Sequence, residues 1–150
     1  MQPAFVFSRH NQTFGIVTQI GTTTDGVVPE QFRTVAMPGY SEIRLAVLPR
    51  FGTRRTLTDF QPDVVHIATE GPIGWSARAW CLARGVPFTT AFHTRFPDYA
   101  AVRTGLSAER FWPLMRRFHA PSRGVLVSTP ALQRELAQRG LPQGRLWSRG

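Results

Sequence analysis

Three short apolar runs, DVVHIA (63–68), VPFTTAF (86–92) and RGVLVS (123–128), alternate with helix-like stretches, and each is followed at once by polar residues. No other feature of the chain limits its fold as much. A nearly continuous apolar run of this length marks a strand covered on both faces. Between the first two runs, Ile73, Ala77, Trp80, Cys81 and Arg84 fall along one side of a helix that Gly85 stops. SAERFWPLMRRFH (107–119) reads as a helix capped by Ser107, with Pro113 at a kink or at the boundary between two short helices. Thr129 as N-cap and Pro130 at the first helical position open ALQRELAQR, and Gly140 ends it. Strand and helix in alternation, with short connections, predict an α/β fold: a Rossmann-like parallel sheet with helices on both faces.

Upstream the pattern weakens. FGTRRTLTDF (51–60) predicts a short helix with Leu57 and Phe60 turned inward, and IRLAVL (43–48) predicts a strand ended by Pro49. LWSRG at the chain end hints at one more strand. Residues 1–26 read as an atypical N-terminal segment. AFVF and FGIVTQI are short strands around RHNQT, and GTTTDG is polar and flexible. Gly15, Gly21 and Gly26 do not form the strand–glycine turn–helix arrangement that cradles phosphates. The expected organisation is this segment followed by one domain over 27–150.

Charge narrows the partners. The net charge is +9, from 18 basic residues against 9 acidic ones. Every basic residue is arginine, which reads as codon usage biased toward G and C more than as selection for a phosphate-binding surface. Nucleic acid is therefore not the expected partner. Contact of a few arginines with an anionic membrane or a phosphorylated ligand is. The single cysteine, Cys81, excludes an internal disulfide and lies in an apolar helical stretch, where a thiol is a small hydrophobe. No apolar run approaches the ~18 residues of a membrane span. MQPAFVFSRH lacks the charged-then-apolar pattern of a secretory signal, so the cytoplasm is the expected compartment.

Three polar clusters follow the three runs. In a parallel sheet these positions share the edge at which ligands bind. Glu70-Gly71-Pro72 is either a turn that starts a helix or a carboxylate placed to grip a sugar hydroxyl. His93-Thr94-Arg95, within FHTRFPDY (92–99), combines a ring suited to hydrogen bonding near neutral pH, a hydroxyl and a fork suited to phosphate. Ser128-Thr129 caps a helix whose amides also suit an anion. His66 alternates with Val65 and Ile67 and reads as a half-buried structural histidine, and His10 and His119 lie far from any cluster. No His, Cys, Asp or Glu spacing matches a metal site, and no G-x-S-x-G elbow is present.

HIATEGPIGWSARAWCLARGVPFTTAFHTRFPDY resembles the N-terminal domain of the family 4 retaining glycosyltransferases, which have two Rossmann-like domains in the GT-B arrangement. It is similar in particular to the bacterial GDP-mannose-dependent α-mannosyltransferases and the sulfoquinovosyl-diacylglycerol synthase-like enzymes. PEQFRTVAMPGYSEIRLAVLP (29–49) and GVLVSTPALQRELAQRG…LWSRG (124–150) resemble further segments of the same domain, in the same order.

The resemblance implies transfer of a hexose, with mannose the expected sugar, from a sugar nucleotide to an acceptor with retention. His93 would hydrogen-bond the donor sugar as the catalytic-site residue. Thr94 and Arg95 would lie toward the acceptor, Glu70 and Gly71 would shape the cleft, and Ser128 and Thr129 would add substrate contacts. The sugar nucleotide is a substrate, and no cofactor is implied. The family begins with a glycine-rich loop and continues into a second, nucleotide-binding domain. The expectation is therefore a partial GT-B N-terminal domain that is inactive alone and sits in the cytoplasm or at the inner face of the membrane. The residues by themselves leave two alternatives open: a small α/β module that binds sugar or phosphate without turnover, and a basic module for nucleic acid or anionic membrane.

Overall fold

The computed structural model describes residues 3–9, 12–18, 34–37, 40–46, 50–92 and 95–147. The chain forms two compact units, Met1–Phe88 and Thr89–Gly150.

In the first unit, β1 (Pro3–Arg9) and β2 (Gln12–Thr18) make an antiparallel hairpin, so AFVF and the described part of FGIVTQI, up to Thr18, do form strands. β1 also pairs antiparallel with β5 (Val64–Ile67), setting Phe5 opposite Ile67 and Ser8 opposite Val64, and the order is β2-β1-β5. β3 (Thr34–Met37) and β4 (Tyr40–Ala46) form a separate two-stranded antiparallel sheet. The run IRLAVL therefore does not join the parallel series. A parallel neighbour needs a crossover of a dozen residues or more, and only two residues separate β3 from β4.

Two helices complete this unit. α1 (Arg50–Phe60) buries Thr53 and Leu57, while Phe60 is only half-buried. α2 (Pro72–Arg84) buries Ile73, Ala77, Trp80 and Cys81, the expected stripe without Arg84. Arg84 is exposed and lays its guanidinium 5.4 Å from the Trp80 ring centre, a long stem covering an apolar neighbour. Gly85 takes a left-handed φ of 68° and ends the helix. The Trp80 indole N–H donates to Thr58 Oγ1 at 3.0 Å and ties α2 to α1. β5 is covered less fully than its apolar composition suggests. Val65 and Ile67 are buried, His66 is half-buried and Val64 is exposed. The Val65 N–H donates to the Pro87 carbonyl at 3.2 Å, just before β6 (Phe88–Ala91).

In the second unit, β6 runs parallel to β7 (Val125–Val127), and β7 runs parallel to β8 (Gly144–Leu146). The closing strand is thus GRL, slightly earlier than LWSRG, of which residues 148–150 lie outside the described residues. α3 (Phe96–Thr104) is a helix that the apolar pattern did not reveal. It starts within FPDY because Pro97 fits an opening turn, Asp98 suits the positive helix end, and Gly105 at φ 69° stops it. A short 3-10 helix (Ala108–Phe111) leads into α4 (Trp112–His119). The boundary falls beside Pro113, the second of the two outcomes its position allowed. α5 (Pro130–Gln138) follows β7. Phe92, Trp112, Met115, Val125, Val127, Leu136 and Leu141 form the core of this unit, with Phe96 and Leu132 packed against it. The fold is α/β and Rossmann-like.

Candidate active site

The β5–α2 turn belongs to the first unit. Gly71 caps α2 in extended backbone, φ −73° and ψ 178°, and offers no side-chain acceptor to the first turn. Its carbonyl accepts the Trp75 N–H at 3.0 Å. Glu70, directly before it, is half-buried and engaged with its surroundings. A carboxylate here meets the positive end of a 13-residue helix. The Thr69 hydroxyl is buried and has no hydrogen-bond partner among the described residues. Gly74 explains how tightly the turn is built. A Cβ on it would collide with the Thr69 carbonyl oxygen and lie 3.1 Å from Ile67 Cγ2. Backbone of α2 therefore lies directly on the end of β5, which is where a glycine is required.

In the second unit, His93 and Thr94 lie outside the described residues, and the structure is informative on either side of them. Phe92 is buried and stacks on Trp112 with ring centres 5.8 Å apart and planes at 17°. Its N–H donates to the Leu126 carbonyl at 2.8 Å. Arg95 stands at the N-cap of α3. Its Nη2 donates to both Glu135 carboxylate oxygens, at 2.9 and 3.1 Å, and its Nε lies 2.6 Å from Asp98 Oδ2. The guanidinium expected to meet phosphate is thus shared between two carboxylates of the same chain. Those bonds continue outward. Glu135 also pairs with Arg139 at 3.4 Å, Arg139 donates to Glu109 at 2.8 and 3.0 Å, and its guanidinium lies 4.1 Å from the Trp112 ring centre. The network holds α3, the 3-10 helix and α5 together, with one arginine stacked on an aromatic face.

Ser128 and Thr129 follow β7 and are exposed. Thr129 Oγ1 accepts the Leu132 N–H at 3.2 Å, and its carbonyl accepts the Gln133 N–H at 3.1 Å. The threonine is an N-cap, as its position before Pro130 predicts. Arg95 and Thr129 thereby converge on one element: Thr129 starts α5, and Arg95 grips it at Glu135.

A buried polar chain supports this edge from below, and sequence reasoning missed it. His119 is fully buried, and its Nδ1 lies 2.8 Å from Thr90 Oγ1. Thr90 donates to Ser122 Oγ at 3.4 Å, and Ser122 donates to the Gly124 carbonyl at 3.2 Å. Nδ1 and the Thr90 hydroxyl are thus hydrogen-bond partners, with the donor set by which ring nitrogen carries the proton. The imidazole also meets the edge of Phe92 at 5.7 Å. The only sequence signal was a polar Thr90 inside an otherwise apolar strand. Burial pushes the Cys81 thiol up to about 12, which fits an inert core residue and not a nucleophile.

Among the described residues no group of three or more His, Cys, Asp or Glu side chains is placed to hold a metal ion. No described helix is long and apolar enough to cross a membrane.

Comparison with known proteins places this arrangement. The family model described as Glycosyltransferase Family 4 matches residues 6–150, and so reaches into the segment before residue 27. The chain is similar to a GDP-mannose-dependent alpha-mannosyltransferase of Mycobacterium tuberculosis (strain CDC 1551 / Oshkosh), 28% identical over 127 residues that cover 84% of this chain and 33% of that protein. It is similar to Sulfoquinovosyl transferase SQD2 of Arabidopsis thaliana, 28% identical over 158 residues that cover 96% of this chain and 30% of that protein. A GDP-mannose-dependent alpha-mannosyltransferase of Mycolicibacterium smegmatis (strain ATCC 700084 / mc(2)155) is 27% identical over 127 residues, covering 84% of this chain and 34% of that protein. The chain spans about a third of the length of these relatives. No solved structure matches it.

Proposed function

The chain belongs to Glycosyltransferase Family 4, and from that membership we propose that it serves glycosyl transfer: a hexose, mannose in the first instance, passes from a sugar nucleotide to an acceptor hydroxyl with retention. The observation that carries the reading is the family match over 6–150, along which two mannosyltransferases and a sulfoquinovosyl transferase also align. Such a transfer needs substrate positioning and stabilisation of charge at the departing diphosphate more than it needs a protein nucleophile. That suits the chemistry present, since the chain's one thiol, Cys81, is buried and held in its protonated form.

In this reading His93 hydrogen-bonds the donor sugar, and Thr94 contacts the acceptor. Glu70 grips a substrate hydroxyl from the cap of α2, and Gly71 leaves room for it. Ser128 offers a hydroxyl beside the start of α5. Thr129 contributes as the cap that orients this helix start. Arg95 acts mainly by tying the start of α3 to α5, because Glu135 and Asp98 occupy its fork. The reading includes work in the cytoplasm or in contact with the inner face of a membrane.

The chain of 150 residues is expected to show no transfer by itself. Incubation with radiolabelled GDP-mannose and UDP-sugars in the presence of lipid and polyol acceptors tests this, and any labelled product refutes the claim of inactivity. The site is tested by replacing the histidine matching His93 with alanine in an active relative. Turnover is expected to fall by about 100-fold or more, the usual scale for a group acting on the reacting sugar. Unchanged turnover would remove His93 from the mechanism.

A further inference from the structure

α2 carries two tryptophans, and the fold treats them differently. Trp80 belongs to the buried stripe with Ile73, Ala77 and Cys81, is 7% exposed and donates its indole N–H to Thr58 Oγ1 at 3.0 Å. Trp75 is half-buried and takes no part in that stripe. With about 3.6 residues per turn, it falls on the opposite side of the helix. Its place in the first turn decides what it covers. Helical side chains lean back toward the N-terminus, so the indole lies over the surface of Gly71 and Pro72, next to Glu70. The backbone beneath is fixed, because the Trp75 N–H donates to the Gly71 carbonyl at 3.0 Å. Arg78, three residues on, sets its guanidinium 5.2 Å from the Trp75 ring centre. With the arginine in place, the tryptophan still keeps part of its surface in water.

We infer that Trp75 and Glu70 form a subsite for the pyranose ring of a neutral glycoside acceptor. The identity of the ligand rests on the transfer reading above, and the placement of the two side chains does not. A pyranose presents a rim of hydroxyl groups and a patch of C–H bonds. The electron-rich face of an indole suits the C–H patch. A carboxylate suits the hydroxyl rim, and with about four acceptor sites it is not exhausted by an interaction within the protein. Glu70 and Trp75 bring these two chemistries to one turn, with Gly71 between them adding no side chain. The same carboxylate weighs against the sugar nucleotide here. A nucleobase stacks on an indole as well as a sugar does, but it arrives with phosphates that Glu70 repels. A neutral ring meets no such repulsion.

The test is titration of the 150-residue chain with methyl α-D-mannopyranoside, methyl α-D-glucopyranoside and methyl β-D-galactopyranoside, followed by NMR of the tryptophan indole N–H groups. Trp75→Phe removes one of the four indole signals and so assigns it. At least one glycoside is expected to shift the Trp75 signal and to leave that of Trp80 in place. Trp75→Ala is expected to weaken binding about tenfold, and Trp75→Phe about threefold, since a smaller ring keeps part of the stack. Glu70→Gln is expected to weaken it about fivefold, as a charged acceptor gives way to a neutral one. Trp147→Phe, at an exposed residue of the second unit, is expected to change it by about twofold at most. Circular dichroism checks that each variant is folded, and if Trp75→Ala is not, Trp75→Phe and Glu70→Gln decide. The inference is overturned if none of the three glycosides binds, or if Glu70→Gln or the folded Trp75 variants bind as the parent chain does. It is also overturned if guanosine monophosphate binds more tightly than every glycoside and with the same dependence on Trp75. None of these readouts involves sugar transfer, so failure here leaves the transferase reading standing, and the reverse also holds.

Discussion

Replacing Gly74 with alanine sets two physical effects against each other. In a helix, alanine is favoured over glycine by up to about 1 kcal/mol. Gly74 is the third residue of α2, so it gains less than a residue in the helix centre. The opposing effect is steric. The new methyl would run into the Thr69 carbonyl oxygen, which is backbone, and would come within 3.1 Å of Ile67 Cγ2, on a fully buried side chain. Neither neighbour can swing away as a surface side chain would. α2 must lift from β5, at the cost of about 1–3 kcal/mol typical of an overpacked core. The expected net change is a loss of about 1–2 kcal/mol, or about 3–6 °C in Tm for a chain of this size. Urea unfolding followed by far-ultraviolet circular dichroism measures it. Ala79→Gly, at an exposed position of the same helix, calibrates propensity alone and is expected to cost about 1 kcal/mol. The close packing of α2 on β5 is refuted if Gly74→Ala is neutral or stabilising while Ala79→Gly behaves as expected.

Thr90→Val keeps the shape of the side chain and strips the hydroxyl from the buried chain linking His119 to Ser122. It is expected to destabilise by about 1–3 kcal/mol, since a buried imidazole nitrogen loses its hydrogen-bond partner. Thr90→Ser is expected to recover most of that, and equal losses in the two variants would show that the hydroxyl is irrelevant. Cys81 gives a pH dependence. Its thiol keeps its proton to about 12 in the folded chain against an ordinary value of 9.0. Below pH 9 both folded and unfolded states hold the proton, and the thiol contributes no pH dependence. From pH 9 toward 12 the unfolded state releases it first, so stability falls as pH rises, by up to about 1.4 kcal/mol per pH unit. Urea midpoints measured across that range are expected to fall less steeply in Cys81→Ala than in the parent chain, and parallel slopes would refute the assignment.

Why some of this was legible in the sequence and some was not follows from range. Signals that act within one turn could be read directly. Thr129 with Pro130 marked the start of α5, Gly85 the end of α2, and Pro113 a helix boundary, because each depends only on adjacent backbone. Covered apolar runs marked β5, β6 and β7 for a similar reason. The failures needed a partner that the pattern could not name. IRLAVL looked like a strand and its described part ends β4 at Ala46, yet the pairing with Thr34–Met37 in a separate hairpin depends on proximity along the chain and not on its own composition. α3 was hidden because FPDYAAVRT buries only Pro97 and Ala100, too little for an apolar stripe. Arg95 shows the same limit at the candidate site. A guanidinium after a strand suits phosphate on chemistry alone. Only the fold brings Glu135, forty residues on, within 2.9 Å of it, and the arginine then ties the start of α3 to α5. A charge read from sequence tells what it can bind, and the fold decides whether that capacity is already filled.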